Sequence, residues 1–478
     1  MKQNLRSAGA ALLAIGSRAS TQLFVVAVTL VATRYLSPDD FGVFAIATVF
    51  ITLARTLLYT GPFEYLMKAP DLARTASECL AATVLTAAAA SIAVLLLALV
   101  LLLGFGSGAI AWLMLVLVPT NLLAAMASWE EALLLRAGRL RAYYVATMLI
   151  ELSSALVAIW LLVIGWQLGA LVAQVYLRMG LAVLGYAALM RLPPLRHPRP
   201  GGVRRVLRWS SARYGATFVG FLSNYSGDLI LGALLSPAAT GVFRASNRVV
   251  TAASDMFSQP AALLSRTALS HRFAQGRPAD GSWFAMFVAI GFIGWPALLG
   301  VALLGDWIAV TALGPAWSSA AGPIAILAVA RLWSMLTAVA TALLVTYDRQ
   351  RLVLSSQMLA AVGVALATVA LAVWGVTGAA LAALGVNMAV SLWLARAALR
   401  LGPLPFAEAD QLLQAILLPS LCTAVGTIVG RLLAVDHVAV GAGQLVLAIG
   451  CGSVGWVVGV VLVRRAALGA LLLLTQRS

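Results

Sequence analysis

Long apolar stretches, separated by short polar or basic stretches, make up most of the chain. Each is about 20 residues long, which is the length that an α-helix needs to cross the hydrocarbon core of a bilayer. We interpret fourteen of them as membrane-spanning helices. They are 12–33, 41–61, 79–104, 109–129, 143–165, 168–190, 212–233, 240–262, 283–304, 319–345, 352–374, 377–395, 411–431 and 441–463. The pattern predicts an all-α integral membrane protein.

Basic residues in the connections indicate the orientation. They gather in every second connection, for example RLPPLRHPRPGGVRR at 191–205. Only Arg34, just after the first span, and Arg431, at the end of the thirteenth, fall on the opposite side. Because cytoplasmic loops of membrane proteins are enriched in Lys and Arg, this placement predicts an even number of spans with both termini in the cytoplasm.

One nine-residue pattern occurs twice, as LSPDDFGVF at 36–44 and LSPAATGVF at 235–243. Both copies join two predicted spans on the external side, first spans 1 and 2 and then spans 7 and 8. The Ser-Pro pair is typical of a tight turn, and we expect the glycine to open the following helix. A second echo, LLLRAGRLR at 133–141 and LLVTYDRQR at 343–351, joins the fourth and fifth spans of each half.

Six predicted spans separate the two copies, and an even number gives parallel repeats. We therefore predict an N-terminal lobe at 1–200 with spans 1–6 and a C-terminal lobe at 201–400 with spans 7–12. Spans 13 and 14 and a cytoplasmic tail follow at 401–478. Two facing lobes can enclose a cavity with alternating access, which is typical of transporters.

Polar side chains within spans are costly in hydrocarbon and indicate a transport pathway. At about 100° per residue, those on spans 1, 2, 7 and 8 form stripes along one helix face. The candidates are Arg18, Gln22, Arg55, Tyr59, Arg213, Asn224, Asp228, Arg244, Asn247, Arg248 and Asp255. Because these four helices also carry the repeated pattern, we predict that they line a central hydrated cavity.

The charges in this set favour an anionic substrate. Five arginines accompany two aspartates, and a guanidinium group binds phosphate oxygens in bidentate fashion. The amides and Tyr59 offer hydrogen bonds to sugar hydroxyls. Arg18, Arg213 and Arg244 have an alternative role, because they lie close enough to a membrane boundary to reach water. Arg55 and Arg248 lie deeper and are the main candidates. We interpret Glu151, Arg178 and Arg331 as inter-helix pairing residues.

Composition excludes several other classes. The chain is 62% hydrophobic and only 10% charged, so it cannot solvate its own surface in water. Its net charge of +16 follows from the basic loops beside anionic lipid, so no nucleic-acid partner is needed. The three cysteines and three histidines form no motif for a metal or a disulfide. The external connections are too short to hold the catalytic residues of a polymerase or acyltransferase, so we expect no enzyme.

The chain resembles the polysaccharide-transporter branch of the multidrug/oligosaccharidyl-lipid/polysaccharide (MOP) exporter superfamily. The similar segments are RYLSPDDFGVFAIATVF at 34–50, NYSGDLILGALLSPAATGVFRASNRV at 224–249, FSQPAALLSRTALS at 257–270 and LGPAWSSAAGPIAILAV at 313–329. The resemblance implies a MATE-like fold and a flippase in the bacterial inner membrane. Its substrate would be an undecaprenyl-diphosphate-linked repeat unit of O-antigen, capsule or exopolysaccharide.

The resemblance also implies that arginines on helices 1, 2 and 8 line the cavity, at Arg18, Arg55, Arg244 and Arg248. No cofactor is expected, although proton or sodium coupling through Asp228 or Asp255 is open. We expect a monomer in the bilayer, with a polysaccharide polymerase or chain-length machinery as an open partner. Two alternatives from the same superfamily stay open, a flippase of the peptidoglycan precursor and a multidrug exporter.

Overall fold

The computed structural model describes residues 2–69, 71–104, 107–190, 192–195, 197–276, 282–404, 406–437 and 441–463. Every regular element in these ranges is a helix, which confirms the predicted all-α class. The chain divides into two compact units, Met1–Gly241 and Val242–Ser478. The predicted lobe boundaries at 200 and 400 remain predictions, and the predicted tail at 464–478 lies outside the described residues.

The first unit contains nine helices within its described residues, together with the start of a tenth. They are α1 (Lys2–Tyr35), α2 (Pro38–Thr60), α3 (Pro62–Lys68), α4 (Leu72–Gly104), α5 (Gly108–Leu117), α6 (Thr120–Arg136), α7 (Leu140–Val163), α8 (Leu168–Ala188) and α9 (Pro200–Leu234). The predicted fourth span is broken at Pro119, because a proline cannot donate the hydrogen bond that would continue α5. The broken span places Thr120 at the start of α6.

Helix α10 (Pro237–Ala274) leads from the first unit into the second. The remaining helices are α11 (Ser282–Leu303), α12 (Gly305–Ile308), α13 (Ala321–Thr346), α14 (Gln350–Ala370), α15 (Gly375–Leu401), α16 (Phe406–His437) and α17 (Ala442–Leu462). Large buried side chains on α11 and α13, such as Trp283, Leu298 and Leu343, form the main apolar core of this unit with Ile416 of α16.

Eleven helical segments in the described part of the chain are long and apolar enough to cross a membrane. The predicted spans that are not among them are the first, seventh and eighth. These lie on α1, α9 and α10, which carry many of the candidate polar residues. Polar content explains why hydropathy alone does not select α9 and α10, whereas the apolar segment found on α1, Ala19–Tyr35, is shorter than the length required. The count of fourteen remains a prediction.

The repeated LSP…GVF pattern starts a helix in both copies. Ser37 caps α2 by accepting a hydrogen bond from the Asp40 amide at 3.1 Å, and Ser236 accepts one from the Ala239 amide at the start of α10, also at 3.1 Å. The proline that follows each serine is the first residue of its helix, where its missing N–H costs nothing. The Ser-Pro pair is therefore a helix start.

The two glycines of the pattern lie inside helices, so the expectation that they open them is wrong. Each glycine lies against the other copy of the pattern, and both contacts are within the first unit. A Cβ atom on Gly42 would clash with the carbonyl oxygen of Pro237, and one on Gly241 would clash with that of Pro38. Glycine is required at both positions because two backbones approach without room for a side chain.

The second echo also folds alike in both copies. Gly138 precedes α7 with φ of +71°, and Asp348 precedes α14 with φ of +59°. The next amides, of Arg139 and Arg349, donate to the carbonyls of Leu134 and Leu344 at 3.3 and 2.8 Å. The same left-handed turn thus connects α6 to α7 in the first half and α13 to α14 in the second.

Candidate substrate-binding residues

Arg55 lies on α2 and reaches the break between α5 and α6. Its Nη2 donates a hydrogen bond to the Thr120 hydroxyl at 3.1 Å, and Thr120 in turn donates to the carbonyl of Leu117 at 2.5 Å. The Nε atom of Arg55 is buried, and none of the described residues accepts a hydrogen bond from it. Arg55 therefore has one donor fixed by the fold and another that remains available.

Tyr59, one turn after Arg55, lies beside a buried carboxylate of α6. The Glu131 side chain interacts with the Tyr59 hydroxyl and accepts a hydrogen bond from Tyr143 at 2.6 Å. The Tyr186 hydroxyl forms a hydrogen bond with the Thr147 hydroxyl at 3.0 Å, and the Tyr186 ring packs against the Tyr143 ring in a tilted arrangement, with the centroids 5.8 Å apart. These contacts connect α2, α6, α7 and α8 through a polar cluster inside the first unit.

Glu151 and Arg178 form an ion pair between α7 and α8. Arg178 Nη2 lies 2.7 Å from Glu151 Oε1, and the glutamate side chain is only 7% exposed. The predicted pairing role of both residues is confirmed. In an apolar environment such a pair needs both partners, since a lone buried charge costs several kcal/mol, on the order of 3–5.

The candidates on α9 have partners close by. Arg213 forms an ion pair with Glu64 of α3, and its guanidinium lies over the Trp209 ring at 5.0 Å from the centroid. Asn224 donates to the carbonyl of Gly220 in its own helix at 2.9 Å and is exposed. Asp228 is buried, and the Thr240 hydroxyl donates to its backbone carbonyl at 3.1 Å.

In the second unit, candidates on α10 gather around an arginine of α13. Arg331 Nη2 donates to Asn247 Oδ1 at 3.2 Å and to the Thr251 hydroxyl at 2.7 Å. Asp255, further along the same face of α10, interacts electrostatically with this guanidinium. The predicted inter-helix role of Arg331 is confirmed, and it involves two of the predicted site residues.

The remaining candidates lie on α1 and α10. Gln22 is half-buried on α1, and the side chain of Arg18 lies outside the described residues. Arg244 is buried and Arg248 half-buried, both on α10. The candidates therefore form one group in the first unit and one in the second. The predicted single cavity that they share remains a prediction.

Several buried polar residues of α6 were not among the predicted candidates. Glu130 and Glu131 are buried near the end of α6, and Thr120 is fully buried at its start. The two adjacent glutamates, in WEEALLLR, are a readable signal because acidic residues inside a span are rare. They follow directly after the predicted span 109–129, so the polar stripes within spans do not include them.

Solved structures of transporters share this fold. The lipid II flippase MurJ in an inward closed conformation matches 95% of this chain and 99% of its own with a TM-score of 0.75 at 11% identity. An inward-facing multidrug resistance MATE family transporter of the MOP superfamily matches 82% of this chain and 96% of its own, with a TM-score of 0.62 at 12% identity. An outward-facing multidrug resistance MATE family transporter of the MOP superfamily matches 84% of this chain and 95% of its own, with a TM-score of 0.54 at 11% identity. None of the curated protein sequences matches the chain.

These likenesses define a multi-pass membrane protein with the fold of the MOP transporters, as the resemblance implied. The family described as polysaccharide biosynthesis protein matches residues 31–322, which is more than half of the chain. The chain therefore belongs to this family.

Proposed function

We propose that this protein is a flippase that moves an undecaprenyl-diphosphate-linked oligosaccharide from the cytoplasmic to the periplasmic leaflet of the bacterial inner membrane. The observation that carries the proposal is the combination of family and fold. The chain belongs to a polysaccharide biosynthesis family, and it has the fold of a lipid II flippase over 95% of its length. Assembly of such polysaccharides requires a lipid-linked intermediate to cross the membrane.

Arg55 supports an anionic headgroup as the substrate. Its guanidinium is held by Thr120, while its buried Nε–H lacks an acceptor among the described residues. A buried unsatisfied donor costs about 1–3 kcal/mol, and a phosphate oxygen would satisfy it with a charge-assisted hydrogen bond. Arg213 contributes less free charge, because Glu64 already balances it.

In the mechanism we propose, the diphosphate docks near Arg18, Arg55, Arg244 and Arg248 in the inward-facing state. Gln22, Tyr59, Asn224 and Asn247 bind the sugars by hydrogen bonds, and the prenyl chain stays in the lipid. A change of access then exposes the headgroup to the periplasm. Asp228 and Asp255 are the proposed sites of ion coupling, of which Asp255 interacts with Arg331.

The deciding experiment is a lipid analysis of a strain that lacks the gene. We expect complete lipid-linked repeat units to accumulate on the cytoplasmic face while surface polysaccharide is lost, with rescue by the wild-type gene. An unchanged lipid-linked pool with normal surface polysaccharide would contradict the proposal. Accumulation of the peptidoglycan precursor, or increased drug susceptibility alone, would instead support one of the two superfamily alternatives.

A further inference from the structure

Three arginines of the second unit line one recess at the end of its helices. Arg396 and Arg400 lie one turn apart on α15, and Arg349 is the residue before α14. Together with Leu352, Trp393 and Leu401 they surround a cavity of about 370 Å³. This volume is at the lower end of the range of small-ligand sites, which is roughly 300–1,000 Å³.

The described residues do not neutralise these charges. All three arginines are exposed, and among the residues that the structure describes none has an ion-pair partner or a side-chain hydrogen bond. Arg349 also adjoins the N-terminus of α14, which carries partial positive charge. The recess therefore attracts an anion with two or more negative charges.

The first half of the chain shows that this arrangement is not required by the fold. Arg139 occupies the position that corresponds to Arg349, after the same left-handed turn. There the guanidinium donates to the carbonyl of Leu189 at the end of α8 at 2.6 Å. The first copy thus uses its arginine to hold two helices together, whereas the second copy leaves it facing two further arginines.

The surroundings of the recess favour a lipid as the source of the anion. Trp393 is 38% exposed and Leu392 is 50% exposed, both about one turn from Arg396 toward the centre of α15. Tryptophan is enriched at the boundary between hydrocarbon and water, and the basic connections predict that this boundary is the cytoplasmic one. An anionic lipid that binds here can extend its acyl chains along this exposed apolar surface.

We propose that Arg349, Arg396 and Arg400 bind the headgroup of an anionic phospholipid, with cardiolipin as the best fit. Its two phosphodiesters offer two negative charges to three guanidinium groups, each of which can donate in bidentate fashion. Basic pockets between transmembrane helices on the cytoplasmic side are suited to such headgroups. The proposal is independent of which substrate the protein transports.

The test is native mass spectrometry of the delipidated full-length protein, titrated with tetraoleoyl cardiolipin. We expect Arg396→Gln/Arg400→Gln to weaken binding about thirtyfold and Arg349→Gln about fivefold, from the usual contribution of one arginine near a lipid headgroup. The matched control is Arg205→Gln/Arg208→Gln on α9, which removes two exposed charges outside the recess and should leave binding unchanged.

Three results would overturn the proposal. The first is a loss of affinity in the control variant as large as that in Arg396→Gln/Arg400→Gln, which would show that only the net surface charge matters. The second is binding of zwitterionic phosphatidylethanolamine to the wild type as tight as that of cardiolipin, which would show that the arginines are irrelevant. The third is displacement of cardiolipin by inorganic pyrophosphate that itself binds in an arginine-dependent way, which would show that the recess holds a soluble anion. Size-exclusion profiles identical to that of the wild type would show that each variant is folded.

Discussion

At the scale of single residues, Arg55 differs from Arg213 and Arg331 because its contacts hold one nitrogen and leave another available. One nitrogen is held by Thr120, and another is buried without an acceptor in the described part of the chain. Arg213 is paired with Glu64, and the guanidinium of Arg331 is hydrogen-bonded by Asn247 and Thr251. Arg55 is therefore the first residue to substitute.

We expect Arg55→Gln to reduce transport of the lipid-linked glycan about tenfold to a hundredfold, because a charge-assisted hydrogen bond contributes about 1.5–3 kcal/mol. Arg55→Lys should give an intermediate loss, since an ammonium group keeps the charge but not the planar fork. The measurement is the lipid-linked pool and surface polysaccharide in a deletion strain that carries each variant.

The matched control for Arg55 is Arg351→Gln, an exposed arginine in the first turn of α14. It should transport normally at the same amount of protein in the membrane. Normal transport by Arg55→Gln would remove this residue from the proposed site while leaving the family and fold unaffected.

The effect of the Glu151–Arg178 ion pair on the free energy of unfolding should depend on whether one partner or both are removed. Arg178→Gln leaves the 7% exposed Glu151 side chain without its partner, and we expect a loss of up to about 3 kcal/mol in the free energy of unfolding. Arg178 is 41% exposed, which reduces this value. Glu151→Gln/Arg178→Gln removes both charges and should recover most of the stability. Thermal midpoints of the purified variants measure this, and a double variant that is less stable than Arg178→Gln would contradict it.

At the scale of elements, the repeated pattern combines two separate requirements. Ser-Pro starts a helix, which is a local property and can be predicted from the sequence. The glycine allows two helix starts to approach at the backbone, which depends on a partner about two hundred residues away. The repeat and its place between spans could be predicted from the sequence, but the place of the glycines within their helices could not, because their role is tertiary.

Substitution of these glycines should be costly. Gly42→Val or Gly241→Val would push a side chain into the carbonyl of Pro237 or Pro38, and overpacking of this kind costs about 1–3 kcal/mol or more. We expect the thermal midpoint of either variant to fall by several degrees. Gly180→Ala is the control, because a Cβ atom there has open space within α8 and alanine favours a helix. Midpoints that do not differ between the variants and the control would show that the two helix starts can separate freely.

At the scale of the whole molecule, the sequence predicted the fold class better than the site. Apolar length and loop charge are sums over many residues, so errors at single positions cancel. A polar stripe is defined on one helix at a time, so the stripe on α2 includes Arg55 and Tyr59. It does not include Thr120 or Glu131, which contact these two residues from α6. Packing decides which polar residues meet across helices, and the periodicity within one helix carries no information about packing.

The number of spans is the prediction that decides the topology. Only eleven helical segments of the described chain meet the apolar criterion, and an odd number would place the two termini on opposite sides. We expect fourteen, because α1, α9 and α10 are long enough to cross, with 34, 35 and 38 residues, and their polar stripes can face the protein interior. Green fluorescent protein fused at either terminus, or inserted before Arg349, should therefore fluoresce, since it folds in the cytoplasm. Alkaline phosphatase should be active only when fused in external connections such as 235–239. An active phosphatase at the C-terminus, with a fluorescent N-terminal fusion, would show an odd number of spans and exclude the parallel arrangement of the two repeats with both termini inside.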